Sequence, residues 1–375
     1  MPRRVRAAAK PLPPPSGAGD RSGYNRFQGR VPAYDDFPTE ETARMSPFKA
    51  YVIDQDAHRK IVSRMTTLTA GQLDAGEVGI RVHYSSINYK DALAATGAGK
   101  IIRRFPCVGG IDLAGEVVDS ADARFRPGDK VVVTSFDLGV AHHGGYAEYA
   151  RVPAAWVVPL PAGLDLFEAM ALGTAGFTAA LGIVRMEHNG LAPANGPVVV
   201  TGATGGVGGL AIDMLAQLGY HVAALTGKAS ESDYLRGLGA AEVRLRAEID
   251  FDKVRPLEAA QWAGAIDNVG GPILHWVLAT MKQAGTVASI GNAASFDLHT
   301  TVFPFILRGV SLLGIDSGYM SFPTRLRVWE RLGRDLKPRH LAAVTRTIDF
   351  DALPGAFDDY IQGRIKGRTV VRIGA

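Results

Sequence analysis

A glycine-rich stretch at residues 201–209 constrains the fold of this chain more than any other feature of its sequence. It reads Thr-Gly-Ala-Thr-Gly-Gly-Val-Gly-Gly and lies between an apolar, strand-like run at 198–200 and a helix-like run at 207–218. Glycines let the main chain approach a pyrophosphate closely, and the amino end of the following helix supplies unpaired N–H groups and a positive dipole end. A strand, a glycine-rich turn and a helix in this order predict a dinucleotide-binding unit.

The glycine spacing departs at one position from the usual G-x-G-x-x-G pattern. Ala203 stands where the first glycine is expected, and Gly205 and Gly208 occupy the other two positions. Because alanine is small, the tight turn remains feasible, and the departure does not change the prediction.

The end of the next predicted strand indicates which dinucleotide binds. An NAD site carries an acidic residue about 20 residues beyond the glycines, where it binds the ribose 2′-hydroxyl. This chain has Thr226, Gly227 and Lys228 there, and no acid. Lys228 can neutralise a 2′-phosphate, Thr226 can donate a hydrogen bond to it, and Arg246 after the third strand is a further candidate. The pattern therefore predicts NADPH.

The first 44 residues differ in composition from the rest of the chain. They contain seven of the 21 prolines and show neither helical nor alternating apolar periodicity. Such a segment cannot bury enough apolar surface to offset its chain entropy. Residues 1–44 are therefore predicted to be a disordered N-terminal extension, either a solvated tail or a product of translation starting upstream of a natural start at Met45.

Two kinds of folded sequence follow the extension. Residues 45–165 contain short, β-branched, glycine-punctuated runs, such as Lys130–Thr134, that are typical of an irregular, barrel-like β domain. Residues 166–315 alternate helices, the first of them predicted at 167–185, with short apolar strands such as Glu242–Leu245. This alternation implies right-handed βαβ units and a parallel sheet. Residues 316–375 end in a strand that we expect to return to the first domain. The predicted fold is α/β, with a doubly wound Rossmann sheet inserted in a β-rich domain.

Several kinds of chemistry are excluded by the residues that the chain lacks. Its one cysteine, Cys107, excludes an intrachain disulfide and any zinc site built from several cysteines. His142 and His143 are adjacent, so in an extended chain they face opposite sides, and we expect them on a loop rather than at a shared metal. No metal site is predicted. The Tyr-x-x-x-Lys pair of short-chain dehydrogenases and the G-x-S-x-G elbow of hydrolases are both missing.

Charge and hydropathy limit the partners of the protein. A net charge of +4 over 375 residues is too dilute to indicate nucleic acid binding. No uninterrupted apolar run approaches the ~20 residues that span a bilayer. The single cysteine fits a reducing compartment, and we expect a cytoplasmic protein without membrane partners.

The segment 110–117, which reads Gly-Ile-Asp-Leu-Ala-Gly-Glu-Val, resembles the G-x-D-x-x-G-x-V signature of the medium-chain dehydrogenases/reductases. Other segments resemble the acryloyl-CoA reductase branch of the zinc-free, quinone-oxidoreductase-like enzymes in that superfamily. They include Ser-Ser-Ile-Asn-Tyr-Lys-Asp-Ala-Leu at 85–93 and Gly-Thr-Ala-Gly-Phe-Thr-Ala at 173–179. Shorter matches occur at 99–103, 262–267, 305–308 and 367–369. The resemblance extends from Met45 to the C-terminus.

The resemblance implies a GroES-like catalytic domain formed by 45–165 and 316–375, a Rossmann NADPH-binding domain at 166–315, and a homodimer. It implies NADPH-dependent reduction of acryloyl-CoA, or a similar small enoyl thioester, to the saturated thioester. Two alternatives remain open at this point. One is a quinone or enone oxidoreductase, and the other is a non-catalytic, NADPH-binding regulatory protein.

Site residues follow from the same resemblance. Tyr89 is the candidate proton donor, or else a purely positional cofactor contact, and Asn88 and Asp91 could orient it. Asp112 is expected to fix a turn near the cleft. The basic residues Lys100, Arg103 and Arg104 meet the phosphates of CoA or lie on a solvated loop. The expected cofactor contacts are Tyr89, Ala203, Thr204, Gly205, Gly206, Val207, Thr226, Gly227, Lys228, Arg246, Asn292, Ile306, Ser317 and Arg368.

Overall fold

The fold is known from a computed structural model that describes residues 46–374. The predicted N-terminal extension lies outside the described residues. The strands are β1 Phe48–Gln55, β2 Ile61–Leu68, β3 Val78–Ile87, β4 Cys107–Val108, β5 Asp112–Ser120, β6 Lys130–Thr134, β7 Tyr149–Val152, β8 Val158–Pro159, β9 Val198–Thr201, β10 Val222–Thr226, β11 Glu242–Leu245, β12 Trp262–Asp267, β13 Met281–Ser289, β14 Ser311–Gly314, β15 Thr345–Asp349 and β16 Arg368–Arg372. The helices are α1 Tyr89–Thr96, α2 Leu166–His188, α3 Gly206–Gln217, α4 Ser232–Gly237, α5 Gly271–Ala279, α6 Phe303–Arg308, α7 Phe322–Leu332, α8 Leu341–Val344 and α9 Leu353–Ile361.

A six-stranded parallel sheet forms the middle of the chain. Its strand order is β11-β10-β9-β12-β13-β14, and every neighbouring pair is parallel. Strands β9 and β12 are buried along their whole length because helices cover both faces of the sheet. The predicted doubly wound sheet is therefore confirmed, with β9 and β10 ending side by side at its carboxyl edge.

The other sheets combine strands from both ends of the chain. A seven-stranded sheet has the order β15-β16-β3-β5-β6-β8, with β7 also paired to β3, and a three-stranded sheet has the order β2-β1-β4. The C-terminal strand β16 pairs antiparallel with β3, with Thr369 opposite Ile87. This pairing brings the last strand of the chain beside the β3–α1 junction, where the functional side chains described below lie.

Helix α2 connects the two sheets and is the longest helix of the described residues. The sequence predicted one helix at 167–185, but Gly173 has φ 50° and ψ −154° and interrupts the helical path. Helix α2 is also the one described helix long and apolar enough to cross a membrane, although most of it is buried within the protein. Its apolar character is that of a core helix.

Arg325 of α7 is a buried cation that ties α7 to β6 and to the segment after β14. Its guanidinium donates to the Thr134 carbonyl (3.1 Å) and to the carbonyls of Ser317 (2.9 Å) and Gly318 (3.0 Å). Its Cζ lies 4.3 Å from the ring centroid of Phe136 and 4.7 Å from that of Phe177. Burial lowers the pKa of Arg325 to about 10, so the guanidinium stays charged at neutral pH.

Replacing this guanidinium tests its contribution to stability. Arg325→Met keeps an apolar stem but leaves three carbonyls without their charged donor, and we expect the free energy of unfolding to fall by about 1.5–3 kcal/mol. Guanidinium denaturation measures the loss, with Arg327→Met, an exposed position on the same helix, as the matched control. Equal losses in the two variants would contradict the role given to Arg325.

Candidate active site

Asp112, the first residue of β5, is the centre of a buried polar cluster. Its Oδ2 accepts hydrogen bonds from Ser86 Oγ (2.7 Å), Asn88 Nδ2 (2.7 Å) and the Thr174 N–H (2.9 Å), and its Oδ1 accepts from Thr174 Oγ1 (2.5 Å). The side chain is fully buried. A buried carboxylate requires such donors because the protein interior solvates charge poorly. Asp112 therefore joins β3, β5 and α2 at one point.

Arg368, the first residue of β16, carries the opposite charge into this cluster. Its guanidinium donates to the carbonyls of Ala171 (3.1 Å) and Ile87 (3.1 Å), to Asn88 Oδ1 (3.1 Å) and to Ser86 Oγ (2.8 Å). Its Nη2 lies 3.9 Å from Asp112 Oδ2. The family resemblance predicts that Arg368 contacts the cofactor. In the structure its hydrogen bonds link α2, β3 and the cap of α1.

The interruption of α2 at Gly173 allows this cluster to form. A Cβ at position 173 would lie 2.6 Å from both Arg368 Nη2 and Asp112 Oδ2, and φ is in the left-handed region. Only glycine fits both conditions. Because the helix is broken here, the Thr174 N–H is free to donate to Asp112.

Tyr89 is the first residue of α1, and its position is set by the residue before it. Asn88 caps the helix: its N–H donates to Asp91 Oδ2 (2.8 Å), and Asp91 Oδ1 accepts from the Ile111 N–H (3.0 Å). The Tyr89 side chain is 55% exposed and makes no contact that would consume its hydroxyl among the described residues. Asn88 and Asp91 therefore fix the first turn of α1, to which Tyr89 belongs, and their orientation of the Tyr89 side chain stays a prediction.

The glycine-rich turn has the shape that a pyrophosphate requires. Gly202 has φ 60°, and a Cβ at Gly208 would lie 2.4 Å from the Gly202 carbonyl oxygen. Helix α3 begins at Gly206 without a side chain capping its first N–H groups. These N–H groups are the donors that bind a dinucleotide phosphate.

The turn also lies against the polar cluster. A Cβ at Gly206 would lie 2.9 Å from Arg368 Cδ, and the Gly367 N–H donates to the Thr204 carbonyl (3.1 Å). The glycine-rich turn and Arg368 are therefore brought together, and Arg368 in turn bonds Asn88, the residue before Tyr89.

The residues predicted to bind the 2′-phosphate lie at the end of β10. Thr226 Oγ1 accepts from the Lys228 N–H (3.0 Å), and Lys228 Nζ donates to the Gly363 carbonyl (2.8 Å). A Cβ at Gly227 would lie 3.2 Å from Arg246 Nη2, so the guanidinium of Arg246 adjoins the turn. Lys228 and Arg246 supply two cations at this edge of the sheet, and residues 226–228 include no acid. These features are those expected of a site for a 2′-phosphate.

The remaining predicted contacts are more dispersed. Ser317 Oγ accepts from Thr178 Oγ1 (2.8 Å), which ties the segment after β14 to α2. Asn292 is exposed after β13, and Ile306 is 67% exposed on α6. Neither is bonded to the polar cluster within residues 46–374, so their role toward a cofactor stays a prediction.

A cavity of about 340 Å³ opens between the β-rich domain and the segment that follows β14. Its lining includes Ser317, which follows β14, and Lys90, which follows Tyr89 in α1. The complete lining is Lys90, Lys100, Ile101, Arg103, Phe136, Val140, Ile315, Asp316, Ser317, Gly318 and Tyr319. The cavity therefore combines apolar walls with charged groups, as a small-molecule site does.

The two adjacent histidines lie in the loop between β6 and β7, as the sequence predicted. Both Nδ1 atoms are 3.8 Å from Asp74 Oδ2. His143 Nδ1 accepts the Val108 N–H (3.1 Å), and His142 Nε2 is bonded to the Arg151 carbonyl (2.7 Å). Within residues 46–374 no group of His, Cys, Asp and Glu side chains is placed to hold a metal.

Four residues of the site, Gly202, Gly173, Thr174 and Ser86, were not among the predicted site residues. Gly202, one position before Ala203, supplies the left-handed turn, and a strict search for the spaced glycines misses it. Ser86 and Thr174 bind Asp112, and Thr174 lies 62 residues further along the chain. The signal for Gly173 and Thr174 was a glycine inside a helix-like run, which marks a break or a close approach.

Burial also affects the carboxyl group that caps α1. Burial and, secondarily, the nearby charge of Asp112 raise the pKa of Asp91 to about 7, although three N–H bonds from Asn88 and Ile111 oppose the shift. Asp91 thus holds a proton in the folded protein over a pH range in which it is ionised in the unfolded chain.

Two family descriptions match separate parts of the chain. Residues 74–162 match the "Alcohol dehydrogenase GroES-like domain", and residues 206–331 match "Zinc-binding dehydrogenase". The first range contains strands β3 to β8 of the β-rich domain, and the second contains β10 to β14 of the parallel sheet.

Full-length relatives are also similar. The chain is 48% identical over 329 residues to "Acrylyl-CoA reductase AcuI" of Ruegeria pomeroyi, which covers 88% of this chain and 100% of the relative. It is 49% identical to "Putative quinone oxidoreductase YhfP" of Bacillus subtilis over 82% of this chain and 93% of the relative. The solved structure of B. subtilis yhfP with NAD bound has a TM-score of 0.86 at 47% identity, covering 88% of this chain and all of that one.

A third similar protein is the yhdH oxidoreductase from Salmonella enterica, solved in complex with NADP. Its TM-score is 0.84 at 47% identity, and the match covers 87% of this chain and 100% of that chain. Structures at this level of similarity thus hold NAD in one case and NADP in another.

The pH dependence of stability tests the environment of Asp91. Between about pH 4 and 7 the folded protein binds a proton that the unfolded chain has released, so Asp91 makes the free energy of unfolding fall as pH rises. In Asp91→Asn this pH-dependent contribution, roughly 2–4 kcal/mol between about pH 4 and 7, is absent. The changed hydrogen bonds of the variant alter its stability by the same amount at every pH, so they do not affect the slope. Denaturation at several pH values gives the slope, with the exposed Asp297→Asn as control. An unchanged slope in Asp91→Asn would refute the assignment.

Proposed function

This chain belongs to the medium-chain dehydrogenase/reductase superfamily, and from that membership we propose that it reduces the carbon–carbon double bond of acryloyl-CoA with NADPH, yielding propionyl-CoA. Its superfamily neighbours are solved with nicotinamide dinucleotides. The observation that carries the proposal is the cavity of about 340 Å³ lined by Ser317 and by Lys90, the residue that follows Tyr89 in α1. The full-length similarity to an acrylyl-CoA reductase supports the choice of thioester.

The reaction needs a hydride donor, a proton and a polar environment. NADPH, when bound, supplies a hydride from nicotinamide C4, which goes to the β-carbon of the thioester. Negative charge then develops on the carbonyl oxygen, and hydrogen-bond donors aimed at that oxygen lower the barrier. A proton has to reach the α-carbon to complete the addition of two hydrogens.

We assign the proton donation to the hydroxyl of Tyr89. Its position at the first turn of α1 is held by Asn88, whose side chain bonds both Asp112 and Arg368. The phenol is exposed and its hydroxyl is free to face a substrate. The runner-up reading is a purely positional contact between the Tyr89 ring and the nicotinamide.

NADPH is the proposed dinucleotide because cations and a hydroxyl surround the end of β10. Thr226, Lys228 and Arg246 supply these groups, and no acid at 226–228 is available for a ribose 2′-hydroxyl. The other proposed contacts are the turn 203–207, Asn292, Ile306, Ser317 and Arg368. The NAD-bound neighbour makes cofactor preference a direct test of this proposal.

A second candidate function is quinone reduction, favoured by the name of the B. subtilis relative. Both activities use the same hydride donor and the same cavity, and they differ in the acceptor. We further propose a cytoplasmic location and a homodimer. Support for the dimer comes from β14, an edge strand, and from the exposed apolar side chains of Val302, Ile306 and Leu307 beside it. A chain that sediments as a monomer would refute it.

Steady-state oxidation of NADPH distinguishes the candidate functions. We expect a larger kcat/KM with acryloyl-CoA than with 1,4-benzoquinone, and we expect turnover to survive exhaustive EDTA treatment. A larger value with the quinone would favour the second function. Absence of turnover with either acceptor would indicate a non-catalytic, NADPH-binding protein. Activity that is lost in EDTA and restored by zinc would contradict the prediction that the enzyme needs no zinc.

The same assay in single-turnover form tests Tyr89, because product release then cannot mask the chemical step. Tyr89→Phe keeps the ring but removes the acid, so the rate should fall by about 10²–10⁴-fold while NADPH affinity changes little. A rate within about threefold of the parent, well below that range, would leave Tyr89 as a positional residue.

Removing the Lys228 cation tests the choice of cofactor. We expect Lys228→Ala to weaken NADPH binding by about 10- to 150-fold, as for a lost charge-assisted hydrogen bond, and to leave NADH binding nearly unchanged. Direct titration of both cofactors measures this, with Lys253→Ala, an exposed lysine of the same domain, as control. Equal affinity of the parent for NADH and NADPH would contradict the assignment.

A further inference from the structure

The cavity carries two lysines whose charges nothing in the described structure uses. Lys90 is the second residue of α1 and Lys100 lies in the loop that follows it, and both are exposed and line the cavity. Within residues 46–374 neither ammonium group forms an ion pair or a hydrogen bond. Two unpaired cations in the lining of one cavity attract an anionic ligand.

The neighbouring arginines are already engaged. Arg103 pairs with Asp137 and also donates to Tyr319 Oη (2.9 Å), which in turn donates to Asp137 (2.7 Å). Arg104 pairs with Asp74 away from the cavity lining. Of the basic group expected from the sequence, Lys100 alone keeps an available charge, and the structure adds Lys90 to it.

One acidic side chain, Asp316, shares the cavity with the lysines, and one of its carboxylate oxygens is bonded to the main chain. Asp316 Oδ1 accepts the N–H groups of Gly318 (2.9 Å) and Tyr319 (3.2 Å). The remaining walls include the apolar side chains of Ile101, Phe136 and Val140. An acyl chain with an uncharged amide-containing arm suits these walls, and anionic groups suit the side with the lysines.

We propose that Lys90 and Lys100 bind the phosphate groups of the CoA carrier, so that the protein selects CoA thioesters over thioesters of the same acyl group without phosphates. This inference rests on the proposed function and deepens it. A volume of about 340 Å³ is at the small end for ligand sites, so the cavity holds the acyl and pantetheine end while the phosphates lie at its rim. Lysine suits this use because a compact, strongly hydrated charge on a flexible stem can follow a mobile phosphate.

The test compares acryloyl-CoA with acryloyl-pantetheine, which lacks every phosphate, at saturating NADPH. We expect the parent to favour acryloyl-CoA in kcat/KM, and the ratio of the two values to fall roughly tenfold for each lysine in Lys90→Met, Lys100→Met and the double variant. Added salt should raise the KM of the parent for acryloyl-CoA more than that of the double variant. Lys130→Met, at the far end of β6, is the matched control and should keep the parental ratio.

The possible outcomes distinguish failure of the phosphate assignment from failure of the proposed function. If the parent reduces both thioesters equally well, or if the double variant loses activity on both in parallel, the phosphate assignment is wrong while thioester reduction stands. If the parent reduces neither, the proposed function fails first. Melting temperatures of the variants show whether they fold, and binding of CoA itself to the NADP-loaded protein, weakened in the double variant, gives a readout independent of turnover.

Discussion

The buried pair of Asp112 and Arg368 is the interaction on which the arrangement of the site depends. A buried ion pair repays its desolvation only when further hydrogen bonds satisfy both partners. Here Asp112 accepts four hydrogen bonds within 3 Å, and Arg368 donates four. Their partners come from β3, α2 and the cap of α1. Segments distant in the sequence therefore meet at one point, and the break in α2 at Gly173 is what makes room for them.

The pair also links the glycine-rich turn of the parallel sheet to the start of α1. Arg368 packs its methylene groups against Gly206 in the glycine-rich turn and bonds Asn88, the residue before Tyr89. The turn positions a dinucleotide, and Tyr89 is the proposed acid. A shift of either element relative to the other would have to break hydrogen bonds inside a water-excluded cluster. The position of the glycine-rich turn relative to the start of α1 is thus set by buried polar contacts.

How much of the fold and of the site could be predicted from the sequence depends on how far apart in the chain the interacting residues lie. Strands such as Lys130–Thr134 and Glu242–Leu245 were predicted at their observed bounds, because local apolar patterns and turn residues define them. The parallel sheet and the glycine-rich turn followed from local order as well. The kink at Gly173 and the pairing of Arg103 with Asp137 did not, because each depends on a partner that only the folded chain brings near.

Two segments that line the cavity are each bonded to a different buried cation. Lys90 belongs to α1, whose cap is bonded to Arg368, whereas Ser317 and Gly318 offer their carbonyls to Arg325. Thr178 of α2 bonds Ser317 as well, and Arg368 donates to the Ala171 carbonyl of the same helix. The two guanidinium groups and α2 therefore hold the segments that line the cavity. Because arginine makes several directed hydrogen bonds, it serves as the fixed support here, and the more flexible lysines are left at the rim to meet a ligand.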